Sequence, residues 1–365
     1  MGSEMCIRDS RYIEPGNYIF KKKERENANS KLLIDLGAGC GTDPQTINTH
    51  DYTVEAPAAW VPWNFYLHNI PQAWNESTGQ NIEVGIIDTG ISPDQDNFSS
   101  DLNSGLSSGR TAGKDGTYVS SWLPWAAPDG PDDQCGHGTS MAGIVAAPRN
   151  AENVPVGVAY NCNLFTVRGT ADVLLDGYSE QDGVADAITL LASRNSTKII
   201  SMSLGNIISV GKITDAVKYA VNKKGKLFFA AGGTSFDLTT WFGVIFPASM
   251  NETIAVTGVT DASNYEACDV CHSGSEIDFT IIMQRDSDGD RKSVGLGYDN
   301  DWANYIGGSS VATATTAGIA ALIWAKHPNW RKGKILDKLK DASEFYPNRH
   351  SDFGYGNIDA LEAVQ

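Results

Sequence analysis

Tyr305 to Ala325 reads YIGGSSVATATTAGIAALIWA: two glycines and two serines open a run of small and apolar residues about as long as a buried helix. Gly307 and Gly308 permit a tight turn and a close backbone approach. A serine leaving such a turn sits at the positive end of the following helix, where partial charge favours a developing anion. That placement suits a nucleophile attacking a carbonyl. Taken alone, the same residues would make an ordinary core helix with a small-residue start. The rest of the chain has to decide.

With 365 residues, 41% of them apolar and 20% charged, the chain has material for one large domain or two medium ones. A formal net charge of −16 argues against nucleic acid or an anionic membrane as the main partner. No uninterrupted apolar run reaches the ~18 residues of a membrane span, so none is expected. Residues 1–10, MGSEMCIRDS, lack the apolar core of a signal peptide. They resemble translated sequencing-adapter read-through, so they are expected to be foreign to the fold and silent about any leader. Six cysteines are enough for two bridges. Cys135 and Cys162, flanking a strand–helix unit, are the favoured pair, and Cys268 and Cys271 could bridge locally. Paired cysteines place a protein outside the cytoplasm.

Residues 11–20 are strand-like around a Pro-Gly turn, and Lys21 to Ser30, KKKERENANS, is charged and polar like a linker. Residues 31–58 show no pattern. From about Ile70 the text becomes regular. Short apolar runs at 82–87, 164–167, 198–204, 227–231 and 253–259 predict strands buried on both faces. Between them lie helical patterns: a small-residue helix from His137, one through Val184, Ile188 and Leu191, and one placing Ile213, Ala216, Val217, Ala220 and Val221 on one face. This alternation predicts an α/β fold of three layers, a mostly parallel central sheet with helices on both faces.

Three segments carry candidate catalytic groups: Asp88 in IIDTGI, His137 in CGHGTSMAG and a serine in GGSSVATATTAG. Acyl transfer needs a hydroxyl activated by an imidazole base, and a carboxylate to fix that imidazole's tautomer and stabilise its cation. The chain order Asp, His, Ser is that of subtilisin. From about residue 70 to 365 the chain resembles the subtilisin-like serine proteases, peptidase family S8. Asp88-Thr89-Gly90 matches the family's aspartate motif. Gly136-His137-Gly138-Thr139 with Ala142-Gly143 matches its histidine motif. Gly308-Ser309-Ser310-Val311-Ala312 matches its serine helix, with Ser309 in place of the usual threonine and Ser310 as the nucleophile. The resemblance implies that Ser203, Leu204 and Gly205 line the primary specificity pocket. It also implies that Gly177 and Tyr178 pair with extended substrate as an added strand. Residues 11–20 resemble the last strand of a propeptide, 21–58 would be linker and mature N-terminal extension, and 59–365 the peptidase domain.

One departure bears on chemistry. In FFAAGGTS, Gly233 stands where the family has an asparagine whose amide donates to the oxyanion. Thr234 could supply a hydroxyl instead, a water could substitute, or the protein could be slow or a non-catalytic peptide-binding module. An Asp-Thr-Gly is also the signature of aspartic proteases, but their proton-sharing dyad needs a second such loop, and none is present. Cys268-Asp269-Val270-Cys271-His272 satisfies the c-type haem pattern, with a local disulfide as the plainer reading. Asp286, Asp288 and Asp290 alternate like calcium ligands around Gly289, with a polar hairpin turn as the plainer reading. The expectation is a secreted, monomeric serine endopeptidase acting on protein or peptide, requiring no cofactor, with calcium as a possible structural ion.

Overall fold

The computed structural model describes residues 40–365 apart from Trp122, Pro124, Asp176 and residues 235–242. The expected foreign start at 1–10, the strand at 11–20 and the linker up to residue 39 lie outside the described residues, as does Ser235. In chain order the strands are β1 (Tyr52–Glu55), β2 (Ala59–Pro62), β3 (Glu83–Asp88), β4 (Ala112–Gly116), β5 (Asn163–Arg168), β6 (Thr197–Met202), β7 (Leu227–Ala231), β8 (Ile254–Thr260), β9 (Phe279–Arg285), β10 (Asp288–Leu296) and β11 (Ala303–Ile306). The helices are α1 (Trp63–Leu67), α2 (Ile70–Ala73), α3 (His137–Ala146), α4 (Tyr178–Ser193), α5 (Gly211–Lys218), α6 (Gly308–Lys326), α7 (Lys332–Asp341) and α8 (Ala360–Val364).

Nine strands form one sheet in the order β11-β10-β9-β8-β7-β6-β3-β5-β4. From β9 across to β4 every neighbouring pair is parallel, and β10 and β11 close the other edge antiparallel. The apolar runs make strands because both of their faces are covered. Ile86, Ile199 and Phe229 pack in one core with Met141, Ile144, Ile319 and Leu322 of α3 and α6. Their chain neighbours Ile87, Ile200 and Phe228 pack in a second core with Val184, Ile188, Ile213 and Val217 of α4 and α5. Successive residues go to opposite sides, as the two-residue strand period requires. The three expected layers are present.

Helix α6 is buried from Gly308 through Trp324, which explains a sequence with no polar stripe. Its length and composition would suit a membrane span, yet those residues are packed inside the domain. Helix α5 ends at Lys218, and a π-helical turn, Tyr219–Lys223, carries its buried face on to Ala220.

Residues 40–58 are fixed to the body despite their lack of periodicity. Strands β1 and β2 pair as a hairpin that straddles the boundary expected at residue 59. Asp51, fully buried, accepts hydrogen bonds from Arg291, Arg285 and the Tyr305 hydroxyl. Cys40 is bonded to Cys135, which corrects the expected Cys135–Cys162 pair. Cys162 is buried and free. It precedes β5 at the edge of the sheet where the parallel strands begin, whereas Cys135 precedes α3 at the edge where they end, so the two cannot meet. Cys268 and Cys271 do bridge locally, and that bond leaves the motif no thiols for haem attachment.

Candidate active site

Strand β3 delivers Asp88 to the carboxyl edge of the parallel strands, where open α/β sheets place their sites. Helix α3 begins there with His137, and α6 begins there two residues before Ser310. His137 Nδ1 lies 2.7 Å from Asp88 Oδ1, which also accepts the Thr89 N–H at 2.8 Å. Both side chains are buried. An ionised carboxylate only accepts, so Nδ1 carries the proton and Nε2 is left as the basic nitrogen. Burial opposes charge on the imidazole and is the largest single influence. Asp88, by charge and by hydrogen bond, and Asp133 and Asp172 beyond it together outweigh burial and raise the His137 pKa above its ordinary value.

Ser310 and His137 line the same cavity, of about 400 Å³. Their side chains share it without a hydrogen bond to each other; such bonds tighten when substrate binds. No side chain caps α6, and the first N–H groups of a helix have no partner within it. The Ser310 N–H, in the first turn, is one of these. Ser203 lines the cavity, and its hydroxyl donates to the Ser310 carbonyl at 3.1 Å, fixing the start of α6 to the end of β6.

Gly233 and Thr234 follow β7 and line the same cavity. Gly233 has φ +129°, and a Cβ there would fall 2.6 Å from His272 Nδ1. The ring of His272 thus fills the space an asparagine at 233 would need, so restoring that residue alone would force a clash. The imidazole hydrogen-bonds through Nδ1 to the Gly243 carbonyl at 2.6 Å, and burial holds its pKa below the ordinary value. Thr234 lines the cavity with Ser310. A Cβ on Gly308, whose φ is +80°, would fall 2.8 Å from Thr234 Oγ1, so glycine lets that hydroxyl lie against the start of α6.

Leu204 and Gly205 line the cavity together with Val173, Leu174, Ala231 and Ile245. Gly177 and Tyr178 do not form a strand edge. Gly177 is the N-cap of α4, and Tyr178 is its first, exposed residue, with its backbone committed to the helix. The extended wall lies just upstream, where Leu174 bridges Gly205 in parallel and Leu175 N–H donates to the Gly205 carbonyl. Cys40, Gly41 and Gln45 border the cavity from the N-terminal segment, and nothing in the sequence around them marks this. Asp133 was also missed. Its buried carboxylate accepts five hydrogen bonds, from the Thr89 and Thr139 hydroxyls and from the N–H groups of Cys135, Gly136 and Thr139. An acid just ahead of a small-residue helix is a capping signal that was there to be read.

Asp286 lies in the exposed turn between β9 and β10, and Asp288 and Asp290 are exposed at the start of β10. The Asp286 N–H is taken by Asp261 and the Asp288 carboxylate by the Asp290 N–H. Among the described residues no three His, Cys, Asp or Glu side chains gather to hold a metal ion. These aspartates make the plainer hairpin turn and do not fit a calcium site.

A buried Asp–His pair and a serine at a helix start are thus brought to one cavity at the carboxyl edge of a doubly covered parallel sheet, an arrangement found in hydrolases that use a serine nucleophile. The chain belongs to the subtilase family, peptidase S8, whose profile matches residues 79–357. It is 29% identical over 321 residues to subtilisin E of Bacillus subtilis (strain 168), spanning 86% of this chain and 74% of that one. It is 29% identical over 311 residues to a subtilisin of Bacillus pumilus, spanning 84% of this chain and 99% of that one. In fold it is similar to the crystal structure of MycP1 with its N-terminal propeptide removed, with a TM-score of 0.62 at 20% identity over 83% of this chain and 96% of that one. Another MycP1 structure, described as a serine protease and an essential component of the type VII (ESX-1) secretion system, gives a TM-score of 0.61 at 19% identity over 89% of this chain and 100% of that one.

Proposed function

We propose that this subtilase is a secreted serine endopeptidase in which Ser310 Oγ attacks the peptide carbonyl. His137 Nε2 accepts the serine proton and delivers it to the leaving amine, while Asp88 holds Nδ1 and stabilises the imidazolium. The Ser310 N–H at the α6 terminus receives the oxyanion, and the Thr234 hydroxyl is the second donor in place of asparagine. Water then releases the acyl group by the same route in reverse. The carrying observation is the 2.7 Å Asp88–His137 hydrogen bond on the rim of a cavity that Ser310 shares. Two disulfides support an oxidising compartment, hence secretion. Loss of the asparagine donor costs about 10²–10³ in kcat where it was measured, in a subtilisin. The Thr234 hydroxyl offsets that loss, so Thr234→Val should expose part of it.

The test is turnover of casein and of apolar peptide amides by the purified chain and by Ser310→Ala. A fall of ~10⁴-fold or more in the variant supports the mechanism. Equal rates in both, or none in folded wild type, would remove it. Gly233 motivates one rival, a peptide-binding module without turnover. Against it stands the Asp133 network, which holds the His137 turn in place and which a binding surface has no need to keep.

A further inference from the structure

Three oddities of this sequence meet at one place. Gly233 stands where asparagine is usual, Ser309 where threonine is usual, and Cys268-Asp269-Val270-Cys271 is a motif the proposed reaction leaves unused. In the fold they touch. The Gly233 N–H donates to Ser309 Oγ at 3.1 Å, and Thr234 Oγ1 lies 3.3 Å from the same oxygen. On the far side, Thr234 bridges Cys271 antiparallel, and the His272 N–H donates to the Gly233 carbonyl at 3.0 Å. The turn is closed on itself by the Cys268–Cys271 bond and by Cys271 N–H to Cys268 carbonyl at 2.9 Å. It is pinned to β8 through Cys268 N–H to the Gly258 carbonyl and through the Thr257 hydroxyl to the His272 carbonyl. Val270, at its tip, lines the cavity.

Gly232-Gly233-Thr234 has little side chain with which to fix its own path, and glycine gives the backbone wide freedom. Its position must be imposed from outside. A misplacement of about 1 Å at a reacting centre can cost ~10²-fold in rate.

We propose that the disulfide-closed turn Cys268–Cys271, together with His272, is a positioning element for the oxyanion side of this site. It holds Gly233 and Thr234 against Ser309 so that the Thr234 hydroxyl faces the carbonyl under attack. The disulfide acts through Thr234 and touches no reacting atom itself. This inference rests on the serine-peptidase reading above.

The experiment is a double-mutant cycle on a chromogenic peptide amide. Its members are Cys268→Ser/Cys271→Ser, which leaves Cys40–Cys135 intact, Thr234→Val, their combination, and Thr234→Ser as the conservative control. The expected results are a kcat lowered ~10-fold or more by the cysteine pair and by Thr234→Val, KM changed less than ~2-fold, and recovery with Thr234→Ser. In the combined variant the two losses should not add, because both act on one contact. A ring closed over a sequence separation of 3 constrains the unfolded chain far less than one closed over 95, so Tm should move little. A kcat for the cysteine variant within twofold of wild type, or full additivity, would overturn the proposal. If the cysteine variant does not fold, the Thr234 pair decides: Thr234→Val at wild-type kcat overturns it. Wild type without turnover would instead sink the peptidase reading, so the two failures are distinguishable.

Discussion

At the scale of single residues, the His137–Asp88 pair sets a testable pH dependence. His137 must be neutral to accept the Ser310 proton, and its pKa is raised. The acid limb of kcat/KM should therefore lie above the ordinary histidine value of about 6.5. In Asp88→Asn the raising carboxylate is gone while burial remains. The His137 pKa, read by NMR titration, should then drop below that value, and kcat should fall ~10⁴-fold through the wrong tautomer. An unchanged titration would show that Asp88 is not the governing charge. The same pair contributes stability in full below the unfolded histidine pKa and loses it as pH rises through the higher folded one. Ile245 carries a second prediction. Its side chain occupies the space a Cβ on Gly205 would need, in a pocket otherwise walled by Val173, Leu174, Leu204 and Ala231. Small apolar P1 side chains should be preferred, and Ile245→Gly should raise kcat/KM for P1 phenylalanine by ~10-fold or more relative to alanine. A fixed ratio would place the specificity pocket elsewhere.

At the scale of elements, the start of α3 depends on Asp133. Asp133→Ala would strand buried N–H groups of Cys135, Gly136 and Thr139 and two hydroxyls. Unfolding free energy should fall by ~3 kcal/mol or more, and kcat should suffer more than KM because His137 rides on that turn. Chemical denaturation with parallel kinetics would check both. The three segments of the proposed triad are legible in sequence because each couples a local signal to an element boundary: a strand ending in Asp88, and helices opening on His137 and on the glycines before Ser310. Gly177 and Tyr178 are paired with extended substrate by the resemblance alone, and residue by residue that transfer misses by a few positions: they open α4, while the bridge from Leu174 to Gly205 lies just upstream.

For the molecule as a whole, the alternation of strands and helices reported the three layers, because each apolar run needs two covered faces. The N-terminal segment stayed dark because what fixes it is remote in sequence: Asp51 to Arg285, Arg291 and Tyr305, and Cys40 to Cys135. The Cys40–Cys135 bond spans 95 residues. Cys40→Ser should therefore lower stability by about 2–4 kcal/mol, visible as a reduced Tm, with Cys162 too buried to substitute. An unchanged Tm would mean that the bond adds nothing to the hydrogen bonds of Gln45 and Asp51 that also hold the segment. The convergence of Asp88, His137 and Ser310 is tested most directly by mapping the adduct of a fluorophosphonate on the folded chain. The expected result is one phosphonyl group, on Ser310, absent from Ser310→Ala and strongly slowed in His137→Ala. A folded wild type that takes no label, or takes it on another serine, would contradict the assignment.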